Sequence, residues 1–221
     1  MSEEKNAIVR FNEGLDLYKQ GSYEEALERF EAVVEQAPDF YLGHLHQGRA
    51  LLALGRAQDA LAAIQKELDL RPDHATGWYE MGLAKTRLGL IRDAMDCFER
   101  AAELRSISPK PWYEMGVLNA VMGRLDNALD CFGKAVELNP LFTRAWCNRG
   151  GVLIKLKRYE EALESVNRAL EINSRHVRSW DAKALALRKL GKADEARQCE
   201  QRAQILAEYR TGFDVQMVKE A

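Results

Sequence analysis

The sequence predicts an all-α fold built as a stacked helical repeat, and three observations carry that prediction. All four tryptophans, Trp78, Trp112, Trp146 and Trp180, lie 34 residues apart. A helical repeat recurs at constant spacing because each unit buries its face on the next, whereas a catalytic site has no reason to do so. With the first unit begun at Ala7, the eighth position reads Gly14, Gly48, Gly82, Gly116, Gly150 and Ala184. The twentieth reads Ala26, Ala60, Ala94, Ala128, Ala162 and Ala196.

Six units follow without insertion, 7–40, 41–74, 75–108, 109–142, 143–176 and 177–210, between a head of residues 1–6 and a tail of residues 211–221. In the first unit helices are expected over about 8–20 and 24–36, and at the same offsets afterwards. Gly21, Gly55, Gly89, Gly123 and Gly191 follow the first helix of their units, where a left-handed residue commonly ends a helix, and Lys157 is the one departure. Acidic or amide residues then open each second helix, among them Glu24, Asp93, Asp126, Glu160 and Asp194, next to the positive end of its dipole. Large apolar residues occupy the twenty-fourth position, Phe30, Ile64, Phe98, Phe132 and Val166, until Glu200. Small residues at positions eight and twenty let two helices approach closely, with Trp at position four filling the space beside them.

These columns, with Pro38, Pro72 and Pro140 near the ends of their units, resemble the tetratricopeptide repeat family over 204 of the 221 residues. The resemblance implies a right-handed α–α superhelical solenoid of helix-turn-helix repeats. It also implies a concave groove lined by the first helices, with ligand contacts at positions two, five, six, nine, twelve and thirteen. Position five here reads Phe11, Leu45, Tyr79, Tyr113, Cys147 and Asp181, and position nine includes Arg49, Leu83 and Val117. The expected groove therefore has an apolar floor with Tyr79 and Tyr113 as anchors. Position six adds Glu80, Glu114 and Asn148, position two Lys110, Arg144 and Arg178, and position thirteen Arg87, Lys155 and Lys189. A ligand with apolar anchors and acidic residues is the expected partner.

One subtype is excluded by its own residues. Members that grip a chaperone's C-terminal carboxylate use Lys, Asn, Asn, Lys and Arg across three first helices. No window here supplies them, the last offering only Asn148 and Arg178.

Composition points away from other classes. Net charge is −2 with acids and bases interspersed, unlike the basic footprint of a nucleic-acid binder. No signal-peptide pattern or membrane-length apolar run is present, so a cytoplasmic location is expected. Cys97, Cys131 and Cys199 share position twenty-three and Cys147 lies on a first helix, a spacing that suits reduced thiols packed on helices. His44 and His46 are two apart and face different ways, and no nucleophile–base set, phosphate loop or metal motif emerges. The expectation is a non-catalytic protein-interaction scaffold or adaptor without cofactor, metal, nucleic acid or membrane. The alternative is an accessory or substrate-presenting subunit of an enzyme or secretion complex.

At the ends, Arg10 and His44 stand where later units have Trp, which marks the first two units as different. Arg197 and Glu200 give the last helix a polar face suited to capping the array. Phe213, Val215, Met217 and Val218 in the tail suit docking in cis, or weak self-association in the groove of another copy of an otherwise monomeric chain.

Overall fold

The computed structural model describes the backbone of residues 3–219 and the side chains of residues 6–208. Twelve α-helices make up the described residues, two per repeat. The first helices are α1 (Glu3–Gln20), α3 (Tyr41–Ala53), α5 (Ala75–Arg87), α7 (Pro109–Val121), α9 (Thr143–Lys155) and α11 (Val177–Lys189). The second helices are α2 (Tyr23–Gln36), α4 (Ala57–Leu70), α6 (Ile91–Leu104), α8 (Leu125–Leu138), α10 (Tyr159–Ile172) and α12 (Ala193–Lys219). The internal helices match the expected offsets. Two outer ones are longer, with α1 starting in the expected head and α12 running on to Lys219. The expected docking of Phe213, Val215, Met217 and Val218 lies outside the described side chains.

The chain divides into two compact units of three repeats each, residues 1–107 and 108–221. Within the first unit each helix packs on the next, and the first helices also touch, α1 on α3 and α3 on α5. In the second unit α7 meets α9 and α9 meets α11 in the same way. Each unit has its own apolar interior, around Phe30, Ile64 and Met81 in the first and around Phe132, Ala135 and Val152 in the second.

The turns obey the expected chemistry. All five glycines after first helices have positive φ, from 75° to 88°, and Lys157 takes the same conformation at φ 61° without the glycine that relieves it. Small residues at position eight have a more specific purpose than close helix approach. A Cβ on Gly82 or Gly116 would lie 2.6 or 2.7 Å from the ring of Phe98 or Phe132, so the glycine is the seat of the position-24 side chain of its own unit.

The tryptophans also differ from the expectation of space-filling buried rings. All four are only half-buried. The indole nitrogens of Trp78, Trp146 and Trp180 donate to the carbonyls of Pro72, Pro140 and Ser174, at 2.8 to 2.9 Å. Each clips the start of one repeat to the end of the one before it. His44 does likewise, its Nε2 2.7 Å from the Pro38 carbonyl oxygen. The second repeat is therefore not the exception its histidine suggested, since an imidazole N–H spans the same gap as an indole.

Candidate functional site

In the first unit, the face formed by α1, α3 and α5 holds less exposed apolar surface than the position rule implies. Phe11 and Leu45 are buried and belong to the core. The Phe11 ring meets Phe30 at 5.8 Å and Phe40 at 5.0 Å, because the unit must cover its end with something large and apolar. Tyr79 remains half-buried, tilted against Phe98 at 5.7 Å. Glu80 is buried too, held by Arg49, whose Nε donates to Oε1 at 2.7 Å from the neighbouring helix. Arg87 reaches back from α5 and donates to the carbonyl of Leu52 at the end of α3.

These groups converge on a cleft of about 440 Å³ lined by Tyr18, Tyr23, Arg49, Leu52, Ala53, Glu80, Leu83 and Arg87. Of these, Tyr18 occupies a groove position but stands out in no column, and Tyr23 lies outside the groove positions. Tyr18 sits at position twelve, where the other units carry unrelated residues, and Tyr23 opens a second helix. They stand ring to edge at 5.1 Å. Burial, and then the negative charge of Glu80, push the Tyr18 hydroxyl above its ordinary pKa.

Beneath this face His46 packs edge-on to Phe11 at 5.3 Å, and burial followed by the charge of Arg49 lowers its pKa to about 4. A further buried group joins α4 to α5. Glu67 is fully buried at a position that is Val33, Ala101, Ala135, Ala169 or Ala203 in the other units. Its Oε1 is 2.5 Å from His74 Nδ1, its Oε2 has no partner among the described residues, and Gly77 vacates the space that carboxylate fills.

In the second unit the largest departure is Tyr113, which is 5% exposed and so cannot anchor a ligand with its ring. It lies against Phe132 and Phe142, accepts a hydrogen bond from Asn148 Nδ2 at 3.1 Å, and carries the Arg144 guanidinium over its face at 4.9 Å. Glu114 and Val117 are half-buried beside it, whereas Lys110, Arg144, Lys155, Arg178 and Lys189 are exposed. Positions two and thirteen are eleven residues apart, about 20° from three full helical turns, so Arg144 shares a face with Lys155, and Arg178 with Lys189.

The bases of this unit then fall into two groups. In or just before the second helices they pair locally with acids, as in Lys134–Glu137, Arg158–Glu161 and Arg168–Glu171. Arg144, Lys155, Arg178 and Lys189, on α9 and α11, have no ion pair among the described residues, although Arg188 of α11 does reach Glu200. All four cysteines are free thiols, and burial raises the pKa of Cys97, Cys147 and Cys199. Among the described residues no group of three His, Cys, Asp or Glu side chains could hold a metal. No described helix is long and apolar enough to cross a membrane.

Paired helices at a 34-residue period, glycine seats and inter-repeat clips define a helical repeat protein. Profiles of the tetratricopeptide repeat match residues 11–75, 75–107, 109–142 and 143–176, and the chain belongs to the tetratricopeptide repeat family. No curated protein matches it. Among solved structures it is similar to MamA from Desulfovibrio magneticus RS-1, with 22% identity and a TM-score of 0.67 over 77% of this chain and 96% of that one. YrrB, described as a TPR protein with an unusual peptide-binding site, is 21% identical with a TM-score of 0.64 over 80% and 91% of the two chains. The APC/C hetero-tetramer Cut9–Hcn1 gives a TM-score of 0.78 at 19% identity, covering 91% of this chain and 40% of that one. At these identities the likeness is one of fold.

Proposed function

We propose that this protein is a non-catalytic interaction scaffold that binds a peptide segment or helix of a partner in the groove lined by its first helices. The observation that carries the proposal is the division of bases in the second unit. Lys134, Arg158 and Arg168, in or next to α8 and α10, each sit three residues before an acid and pair with it. Arg144, Lys155 and Lys189 have no acid three residues away, and Arg178 makes no ion pair with Asp181 among the described residues, which leaves a positive stripe on the first helices for an acidic ligand. Tyr113 supports the stripe from beneath, through Arg144.

The test is affinity capture of partners by the intact chain beside the fourfold variant Arg144→Glu, Lys155→Glu, Arg178→Glu, Lys189→Glu. Stopped-flow association with the captured partner follows at two salt concentrations. The variant should associate at least about tenfold more slowly and lose most of the salt dependence. Equal rates and equal salt dependence would dismiss the stripe as a recognition surface.

A further inference from the structure

The cleft of the first unit differs in chemistry from the stripe of the second. Its polar lining is almost entirely composed of donors. Arg49 spends its Nε on Glu80, and its two terminal nitrogens have no partner among the described residues. Arg87 gives one terminal nitrogen to the Leu52 carbonyl and has the rest of its guanidinium to offer. The rings of Tyr18 and Tyr23 pack edge to face, and their hydroxyls have no hydrogen-bond partner among the described residues. Glu80 is the one carboxylate of the lining, and its charge is already met by Arg49. Leu52, Ala53 and Leu83 supply an apolar wall beside these donors.

Such a lining selects an acceptor-rich, singly charged group. Two arginines and one glutamate leave a net charge of one positive. That matches a carboxylate, while a phosphomonoester carries about −1.5 to −2 at neutral pH and would remain under-neutralised. The guanidinium fork is shaped for a carboxylate, and at about 440 Å³ the cleft has room for a side chain together with part of the backbone that bears it. Because the lining comes from α1, α2, α3 and α5 and is open to solvent, a chain can pass across it rather than end in it.

We propose that this cleft is a carboxylate site that takes one acidic side chain of a peptide lying over α1, α3 and α5, held by Arg49, Arg87 and the Tyr18 hydroxyl. The inference rests on the reading of the first helices as a peptide-binding face, and it adds the chemical class the first unit reads. Arg49 is the less mobile half of the site, because Glu80 fixes its guanidinium from behind. Arg87 is exposed and can swing onto the ligand.

The experiment is selection of random decapeptides, acetylated and amidated at their ends, on the full-length chain, followed by fluorescence anisotropy of the enriched sequences. The enriched peptides should share one Glu or Asp, and its replacement by Gln or Asn should weaken binding at least about tenfold. On the Arg87→Gln chain the same replacement should change affinity less than twofold. Tyr18→Phe, which removes one hydroxyl and leaves the packing intact, should reproduce part of that loss. Enrichment of peptides without an acid would overturn the carboxylate assignment while leaving peptide binding in place. A need for a free C-terminal carboxylate would overturn the side-chain assignment. No enrichment at all would sink both this inference and the peptide-binding reading of the first unit.

Discussion

Single residues decide how tightly each repeat closes. Gly82 accepts the Phe98 ring at 2.6 Å from where a Cβ would stand, so Gly82→Ala forces a fully buried ring aside and should cost about 1 to 3 kcal/mol in urea unfolding. Gly133 meets nothing within 4 Å, and Gly133→Ala on the same assay should stabilise by roughly 0.5 to 1 kcal/mol. Lys157 holds a left-handed turn at φ 61° that glycine holds in five other units, so Lys157→Gly should gain about 1 kcal/mol. His46 sets a pH dependence. Its folded pKa, about 4, is depressed below the ordinary 6.5, so the unfolded chain binds the extra proton as pH falls between those values. The stabilisation is complete above about pH 6.5 and is lost towards pH 4, on the order of 3 kcal/mol in all. In His46→Phe the fall in urea midpoint between pH 7 and pH 4.5 should shrink; an unchanged fall would refute this account.

At the scale of elements, the joints between repeats are where the chain departs from simple helix packing. Trp146 and His44 each tie a helix to a preceding carbonyl, so Trp146→Phe and His44→Phe should each cost about 0.5 to 1.5 kcal/mol by loss of one hydrogen bond. Amide exchange in the turn before α9 or α3 should accelerate in the matching variant. The α4–α5 joint is built differently, around the buried Glu67 carboxylate. Burial raises its pKa despite the His74 bond, so the folded state holds this proton more firmly than the unfolded chain. That contribution is present at acid pH and lost as pH rises through the raised folded value. Glu67→Gln should therefore gain stability relative to the native chain at pH 7 and lose that advantage near pH 4, as read from thermal midpoints at the two pH values.

For the whole molecule, division into two units of three repeats makes a prediction about folding. Each unit has its own interior and as many repeats as a stack needs to bury its faces. Residues 1–107 and residues 108–221, produced separately, should each show helical circular dichroism and a cooperative melt. A fragment without a transition would mean that its core depends on the other. The two units also offer different recognition chemistry, a donor-lined cleft in the first and an unpaired basic stripe in the second.

Much of this was legible before any coordinates. Period, helix pairing and turn glycines follow from residue type at fixed offsets, because neighbours within one repeat meet at constant sequence separation, whereas the seating of the position-24 ring on the position-eight glycine emerged only from packing. The four bases of the stripe were legible for the same reason, as two columns that return to one helix face. Tertiary structure alone decided which groove positions remain open. Phe11, Leu45 and Tyr113 share an offset with Tyr79 yet are buried, since the fate of position five depends on the rings that neighbouring helices bring to it. It also decided that Arg49 meets Glu80, that His44 replaces Trp, and that Tyr18 and Tyr23 reach a cleft with two arginines. Those contacts join side chains from different helices, and their direction depends on packing that a repeat period does not encode.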